Sequence, residues 1–254
     1  MKPYYEDEWV TLYHGDCREV LPGIAGFASV IVTDPPYGET NLAWDRWQDG
    51  WAQAVAGWSR QLWCFGSMRM FLEHRDDFGP WQYAQEIVWE KHNGSGFHAD
   101  RFRRVHEFAT HWYQGPWEAL HTNVQTTPDA TARTVRKKAK PPQWHGATGG
   151  TVYRSEDGGP RLMRSVLRVR SEHGRAVHPT QKPLGIIDPL IAYSSDPGDT
   201  VLDPFTGSGS VLLAARQSRR HAIGIEADEA YCETAVRRLS HFELFGALST
   251  EVTP

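Results

Sequence analysis

The chain has 254 residues and a net charge of -4, with 40% hydrophobic, 23% charged and 12% aromatic residues. These proportions are ordinary for a globular protein and argue against wholesale disorder. No apolar run approaches the roughly 18 residues of a membrane helix, and the first residues lack the apolar core of a signal peptide. Cys17, Cys64 and Cys232 form neither a disulfide framework nor a paired metal-ligand motif. We expect a cytoplasmic protein with no metal and no membrane contact.

Short apolar runs predict strands in the first half of the chain, at Ala28–Asp34, Leu62–Gly66, Glu86–Glu90 and Phe108–Tyr113. The first run is β-branched and ends at a proline, as a buried parallel strand does. Between the first two runs lie tryptophans at near-helical spacing, Trp44, Trp47, Trp51 and Trp58. This spacing favours one helix face packed into the core. The alternative is a loop over residues 40–47 that closes on a bound base.

The carboxyl-terminal part alternates between helices and strands. Helical spacing over Pro183–Ser194 precedes a strand at Thr200–Asp203, and helix Gly209–Ser218 precedes strand His221–Glu226. Helix Asp228–Phe245 begins at an acidic cap. This order predicts a parallel sheet with right-handed crossovers.

The segment 114–175 is different, because it is rich in proline, glycine and charge and lacks periodicity. It indicates an insertion in a single domain that covers residues 1–254. Between Arg133 and Arg175 there are 11 Lys or Arg and 3 acids, a local balance of +8 (11 − 3). A basic block in an acidic protein fits binding to phosphates, although a solvated loop has the same composition.

Asp34, Pro35, Pro36 and Tyr37 directly follow the first predicted strand. Ligands of open α/β sheets bind beyond the carboxyl ends of strands, so this turn lies where a site is expected. The prolines fix the backbone and present a carboxylate, a carbonyl and an aromatic ring together. Such a group suits a flat ring with an exocyclic amine, which would donate to Asp34 and to the Pro35 carbonyl. A strand-ending turn with a surface tyrosine is the alternative.

A strand, a glycine-rich turn and a helix follow one another in residues 201–210, VLDPFTGSGS. Glycines let the backbone approach a ligand, and Glu226 at the end of the next strand is placed for ribose hydroxyls. The spacing is not the GxGxxG of dinucleotide-binding proteins, which disfavours a dinucleotide-dependent oxidoreductase.

These motifs resemble those of the DNA amino-methyltransferases. VLDPFTGSGS with the later GIE is similar to their S-adenosylmethionine site, and DPPY is similar to their catalytic motif. DPPY comes first, which is the circularly permuted order of the beta group. Further elements resemble the family as well: YHGDC (13–17), YGETNLAWDRW (37–47), EIVWEKH (86–92), RVHEF (104–108) and HPTQKP (178–183). The resemblance covers nearly the whole chain except about residues 114–164.

The resemblance implies a Rossmann-like α/β methyltransferase fold, with a mostly parallel seven-stranded sheet and helices on both faces. It implies that Asp34, Pro35, Pro36 and Tyr37 are catalytic. The cofactor site would contain Asp16, His178, Thr180, Lys182, Asp203, Phe205, Gly207, Gly209 and Glu226. Lys182 would pair with the carboxylate of the cofactor or be a surface lysine. Asp203 would contact the cofactor or only cap the turn, and Ser210 stands where the family usually has threonine.

The implied activity is site-specific methyl transfer to N6 of a flipped-out adenine in double-stranded DNA. The family tends to have Asp before PPY for adenine and Ser or Thr for cytosine, so Asp34 favours adenine over N4 of cytosine. Methylation at C5 of cytosine needs a cysteine nucleophile, usually after proline, and Cys17, Cys64 and Cys232 have no such context. Two further possibilities are a non-catalytic DNA-binding relative and an enzyme that acts on RNA or on a protein amine.

The basic segment is the candidate for target recognition. Arg133, Arg136, Lys137, Lys138 and Lys140 are expected to contact phosphates, and base-reading candidates are Asn123, Gln125, Gln143 and Arg154. The resemblance also suggests a homodimer, because one small domain must span a site several base pairs long.

Overall fold

A computed structural model describes residues 1–95, 99–137, 150–172 and 181–246. The chain divides into two compact units, which we call the sheet unit (Met1–Asn123 with Ser165–Pro254) and the basic unit (Val124–Arg164). The basic unit lies within the segment 114–175 that was expected to be an insertion. Among the described residues, no helix is both long and apolar enough to cross a membrane.

The regular elements, in chain order, are β1 (Tyr5–Glu6), β2 (Val10–His14), α1 (Cys17–Val20), β3 (Val30–Thr33), α2 (Trp51–Ala54), β4 (Gln61–Gly66), α3 (Met68–Glu73), β5 (Gln82–Ser95), β6 (Arg104–Tyr113), β7 (Thr126–Thr127), β8 (Arg133–Lys137), β9 (Thr151–Ser155), β10 (Arg161–Leu162), β11 (Val166–Arg168), α4 (Leu184–Ser194), β12 (Thr200–Asp203), α5 (Ser210–Gln217), β13 (His221–Glu226) and α6 (Glu229–Gly246). Short 3-10 helices cover Leu21–Gly23, Arg75–Phe78 and Trp117–Ala119.

In the described part of the chain, one sheet has nine strands in the order β1-β2-β13-β12-β3-β4-β6-β5-β11. The strands from β2 to β4 in this order are parallel, and β6 is antiparallel to both of its neighbours. The mostly parallel sheet is confirmed. The expected count of seven strands differs because one short strand is added at each edge, β1 on β2 and β11 on β5.

Helices cover both faces of this sheet, because successive side chains of a strand point to opposite faces. Val30 and Val32 of β3 pack into one hydrophobic cluster with residues of α4, α5 and α6. Ile31 packs into a second cluster with residues of α1, α2 and α3. All of β3 is therefore buried, which explains its continuous run of β-branched residues.

Most predicted elements are present, and β12 and β13 have the predicted bounds. The prediction of one helix through the tryptophans is wrong. Residues 38–50, all of them described, contain no helix or strand, and only Trp51 of the four lies in a helix. The physical reason is that the Asp45 carboxylate binds backbone N–H groups of the preceding turn and holds this stretch in an irregular conformation.

The basic unit, described apart from residues 138–149, contains two antiparallel pairs, β7 with β10 and β8 with β9. Sequence periodicity did not predict these strands. Their side chains are mostly exposed, so they lack the alternation of apolar and polar residues that a half-buried strand shows.

Candidate active site

Four carboxylates lie at the carboxyl ends of adjacent strands. Asp34 follows β3, Asp203 ends β12, Glu226 ends β13, and Asp16 comes shortly after β2. Because these strands are parallel neighbours, their ends meet at one edge of the sheet. A cavity of about 580 Å³ lies there, and all four residues line it.

The turn from Asp34 to Tyr37 places a carboxylate at the wall of this cavity. The Tyr37 hydroxyl donates a 2.6 Å hydrogen bond to Asp34 Oδ1, and the Lys182 ammonium contacts Asp34 Oδ2. Burial raises the pKa of Asp34, and the charge of Lys182 opposes this shift. Burial also raises the pKa of Tyr37 well above its usual value, so its hydroxyl stays protonated and donates.

Asp45 holds the backbone of this turn, a role that sequence analysis did not assign. The residue is only 3% exposed. Its Oδ1 accepts 2.8 Å hydrogen bonds from the N–H groups of Tyr37 and Gly38, and its Oδ2 accepts one of 2.7 Å from Thr40. Burial opposes ionisation, but the hydrogen bonds, led by that of Thr40, hold the pKa of Asp45 below its usual value. Asp45 therefore fixes the turn that carries Asp34.

The glycine turn between β12 and α5 is held by contacts to β13 and α6. Gly207 and Gly209 have φ of 52° and 79°, a left-handed region that favours glycine. Thr206 N–H donates to the Ile225 carbonyl at 3.0 Å. Arg238 donates to Ser208 Oγ at 2.8 Å and to Ser210 Oγ at 3.1 Å.

Glu226 connects the same turn to β13. Its Oε2 accepts a 2.7 Å hydrogen bond from Gly207 N–H, and its Oε1 accepts one of 2.9 Å from Asp228 N–H. Burial raises the pKa of Glu226, and these hydrogen bonds partly oppose the rise. Each oxygen of a carboxylate keeps further lone-pair capacity, so Glu226 is a fixed acceptor for ligand hydroxyls.

Asp203 caps the glycine turn. Its Oδ1 accepts hydrogen bonds from Thr33 Oγ1 at 2.9 Å and from Phe205 N–H at 3.1 Å. These contacts show the capping role, which was one of the two roles expected of this residue. Burial raises the pKa of Asp203 to about 7.

Residues 28–237 match the model of a family of N6 and N4 methyltransferases that is described as DNA methylase. The chain belongs to this DNA methylase family. It is 26% identical to the Type II methyltransferase M.ScaI of Streptomyces caespitosus, over 94% of this chain and 84% of that protein. It is also 26% identical to the Type II methyltransferase M2.LlaDCHI of Lactococcus lactis subsp. cremoris, over 96% of this chain and 94% of that protein.

Solved structures are similar to this methylase over nearly its whole length. The M1.HpyAVI–SAM complex is 25% identical with a TM-score of 0.60, covering 90% of this chain and 99% of its own. The PvuII DNA methyltransferase, described as cytosine-N4-specific, has the same fold with a TM-score of 0.60 at 14% identity, covering 92% of this chain and 88% of its own.

The structure brings most of the predicted cofactor residues together. The cavity of the methylase is lined by Asp16, Lys182, Asp203, Phe205, Gly207 and Glu226. Gly209 packs against α6, where an added Cβ would lie 3.0 Å from the Cβ of Ala235. His178 and Thr180 lie outside the described residues. Across the described ranges, no group of three or more His, Cys, Asp or Glu residues is arranged to hold a metal ion.

Lys182 does not lie on the surface, which was one of the two positions expected of it. Its side chain is 7% exposed, and its ammonium contacts Asp34 and lies 3.5 Å from Glu107 Oε2. Glu107 also contacts the Lys91 ammonium. Sequence analysis missed Glu107 and Lys91, because no spacing in the chain relates β5 and β6 to the residues before α4.

Of the predicted DNA-contacting residues, Arg133, Arg136, Lys137 and Arg154 lie on the antiparallel strands β8 and β9. Arg133, Arg136 and Arg154 are exposed. Arg154 is paired with Thr134, which puts it on the same face of this strand pair as Arg136, whereas Arg133 faces the other side. Lys137 is the last residue of β8. Lys138, Lys140 and Gln143 lie outside the described residues.

Proposed function

We propose that this methylase is a site-specific DNA methyltransferase that uses S-adenosylmethionine and modifies N6 of a flipped-out adenine in double-stranded DNA. The observation that carries the proposal is the Asp34 carboxylate in a clamped turn at the wall of the cavity. The family resemblance associates Asp in this position with adenine.

The residues of the cavity fit the proposed cofactor. A volume of about 580 Å³ lies within the range of small-molecule sites. Asp16 and Glu226 offer carboxylate acceptors for hydroxyl and amino groups, and Phe205 and Trp44 offer apolar ring surface. When bound, S-adenosylmethionine supplies an electrophilic methyl group on its sulfonium.

The catalytic turn binds and orients the target amine. An exocyclic amine is a poor nucleophile because its lone pair is conjugated with the ring, and hydrogen bonds from it to Asp34 and the Pro35 carbonyl draw the lone pair out of conjugation. Asp34 Oδ1 accepts from the Tyr37 hydroxyl at 2.6 Å, so the amine displaces this hydroxyl when it binds. The Tyr37 ring then stacks on the base. Position and orientation supply most of the rate.

The target nitrogen lies inside a base-paired duplex, so the base must leave the helix to reach this cavity. Transfer to N4 of cytosine uses the same two acceptors and is the second candidate, supported by the shared fold of a cytosine-N4-specific enzyme. A homodimer and a cytoplasmic location remain predictions from the resemblance and from the composition.

The test is transfer of labelled methyl from S-adenosylmethionine to mixed-sequence duplex DNA, followed by digestion and mass spectrometry of the nucleosides. We expect N6-methyladenine from the wild type. Because Asp34 orients the amine, Asp34→Ala should lower the rate about 100-fold or more while cofactor affinity stays within about threefold. The control is Asp49→Ala, an exposed aspartate after the clamped turn, which should change neither quantity.

Each other result has a defined meaning. N4-methylcytosine would keep the fold and the site but overturn the choice of base. Cofactor binding without any methylated nucleoside would contradict DNA as the substrate. Failure to bind S-adenosylmethionine would contradict the enzyme proposal itself.

A further inference from the structure

A row of alternating charges leads from the β5–β6 hairpin to the catalytic carboxylate. Lys91 on β5 contacts Glu107 on β6, Glu107 lies near Lys182 before α4, and Lys182 contacts Asp34 after β3. The exposed fractions of these side chains, in the same order, are 15%, 13%, 7% and 21%. Within this row each charge lies beside one of opposite sign, which is the condition under which buried charges are tolerated.

The Lys182 ammonium already has three polar neighbours. It donates to Asp34 Oδ2, lies 3.5 Å from Glu107 Oε2 and lies 3.5 Å from the Tyr37 hydroxyl. It also lies 5.3 Å from the centroid of the Phe65 ring, which covers another side. The ammonium therefore makes two hydrogen bonds and one ion pair, because Glu107 Oε2 lies within ion-pair distance but has no hydrogen-bond partner among the described residues.

The same contacts restrict Asp34. With Oδ2 on Lys182, the carboxylate cannot rotate freely, and Oδ1 is the oxygen that a target amine takes from Tyr37. Burial would otherwise favour the neutral carboxylic acid, which has a donor where the amine needs an acceptor. Glu107, itself between two lysines, keeps Lys182 charged and in place.

We propose that Lys182 is a positioning residue for Asp34 and not the ligand of the cofactor carboxylate, and that Glu107 and Lys91 hold Lys182 in that position. This inference rests on the proposed function and adds residues to the same site. It replaces the cofactor role that the family resemblance implied for Lys182.

The pH dependence follows from the groups that face Asp34. These are Lys182, Glu107 and Tyr37, with Cys64 and Asp203 nearby. Methylation needs ionised Asp34 and so falls as the pH drops through the pKa of Asp34. Lys182 lowers that pKa, so removing the lysine charge moves the acid limb of the rate profile to higher pH.

The first test compares Lys182→Met with the wild type. At saturating cofactor we expect a loss in kcat of about tenfold or more, an acid limb at least about one pH unit higher, and a Kd for S-adenosylmethionine within about threefold. Lys182→Arg keeps the charge and should recover part of the loss. A Kd raised about tenfold or more with kcat unchanged would overturn the proposal in favour of a cofactor ligand.

Glu107→Gln and Glu90→Gln form a matched pair on the same hairpin. Glu107 is nearly buried beside Lys182, whereas Glu90 pairs with Arg168 on the exposed side. We expect Glu107→Gln to lower kcat and Glu90→Gln to leave it unchanged. Equal effects of the two substitutions would contradict the proposal, since they would indicate a general effect of hairpin charge.

A readout without methylation separates this inference from the proposed function. The pKa of Asp34 can be followed by the ¹³C chemical shift of its carboxyl carbon, assigned with Asp34→Asn. We expect this pKa to rise in Lys182→Met and to return towards the wild-type value in Lys182→Arg. An unchanged pKa would overturn the positioning role. If the pKa of Asp34 rises in Lys182→Met but the wild type methylates no DNA, the positioning role of Lys182 is supported and only the proposed function is contradicted.

Discussion

At the scale of single residues, the buried carboxyl of Asp203, which caps the glycine turn, makes the stability of the folded protein depend on pH. The residue is 2% exposed, and burial is the largest influence on the pKa of its carboxyl. Burial raises that pKa from 3.8 to about 7, so the folded protein binds this proton more tightly than the unfolded chain does. The contribution of this carboxyl to the free energy of unfolding is therefore greatest at low pH and is lost as the pH rises from about 4 to about 7.

Replacing this carboxyl by an amide removes the pH-dependent contribution. In Asp203→Asn the amide oxygen would accept from Thr33 and Phe205 as the carboxyl does, so the variant matches the wild type only below about pH 4 and should already be more stable by about 1–2 kcal/mol at pH 5. At pH 8 the variant should be more stable, by up to about 4 kcal/mol. Urea unfolding of the cofactor-free proteins at both pH values measures this difference. A difference that does not change with pH would contradict the assignment.

At the scale of elements, the junction of β12 and α5 depends on a backbone that only glycine adopts easily. Gly209 precedes α5 with a φ of 79°, and an added Cβ would lie 3.0 Å from Ala235 Cβ and 3.4 Å from its Cα. Gly198 precedes β12 with a φ of 92° and has open space around the same position. A substitution at Gly198 therefore tests backbone strain alone, whereas a substitution at Gly209 tests backbone strain together with steric contact with α6.

We expect Gly198→Ala to destabilise the protein by about 1–2 kcal/mol through backbone strain alone. Gly209→Ala should cost about 1–3 kcal/mol more, because α6 must also move. Only Gly209→Ala should weaken cofactor binding, since it displaces the turn that Glu226 holds. Urea unfolding and calorimetric titration with S-adenosylmethionine measure the two effects. Equal losses from both substitutions would show that the packing against Ala235 is unimportant.

At the scale of the whole molecule, the charge of the basic unit contrasts with that of the chain. The strands β8 and β9 of the basic unit carry exposed arginines, although the net charge of the whole chain is -4. Phosphate contacts release counterions, so each one adds to the salt dependence of DNA affinity. The proposed role of the basic unit therefore predicts a salt slope that depends on these arginines.

We expect Arg136→Ala to reduce the slope of log Kd against log salt by about 1, equally for unrelated DNA sequences. The matched control is Arg75→Ala, an exposed arginine of the sheet unit that pairs with Asp76. Fluorescence anisotropy with two unrelated duplexes at several salt concentrations gives the slopes. A change confined to one duplex would instead indicate that the arginine reads bases.

The clamp on the catalytic turn and the neighbours of Lys182 were missed for the same reason. Asp45 accepts from N–H groups of the turn 5 to 8 residues earlier, with no periodic pattern to mark it. Glu107 faces Lys182, and Lys91 faces Glu107, only because β6 lies next to β4 in the sheet and β5 next to β6. The strand β11 was hidden within a segment that looks irregular, because it needs β5 as a partner to form.

The sequence by itself determined the strands β3, β12 and β13, the turns that follow two of them, and the family of the chain. These features are local: a buried β-branched run, a proline pair and a glycine turn carry their own conformational preferences. Only the tertiary structure determined which charged side chains form ion pairs with one another. It placed Lys182 on Asp34 rather than on the surface, because ion pairs between distant segments depend on strand order and burial, which no local pattern encodes.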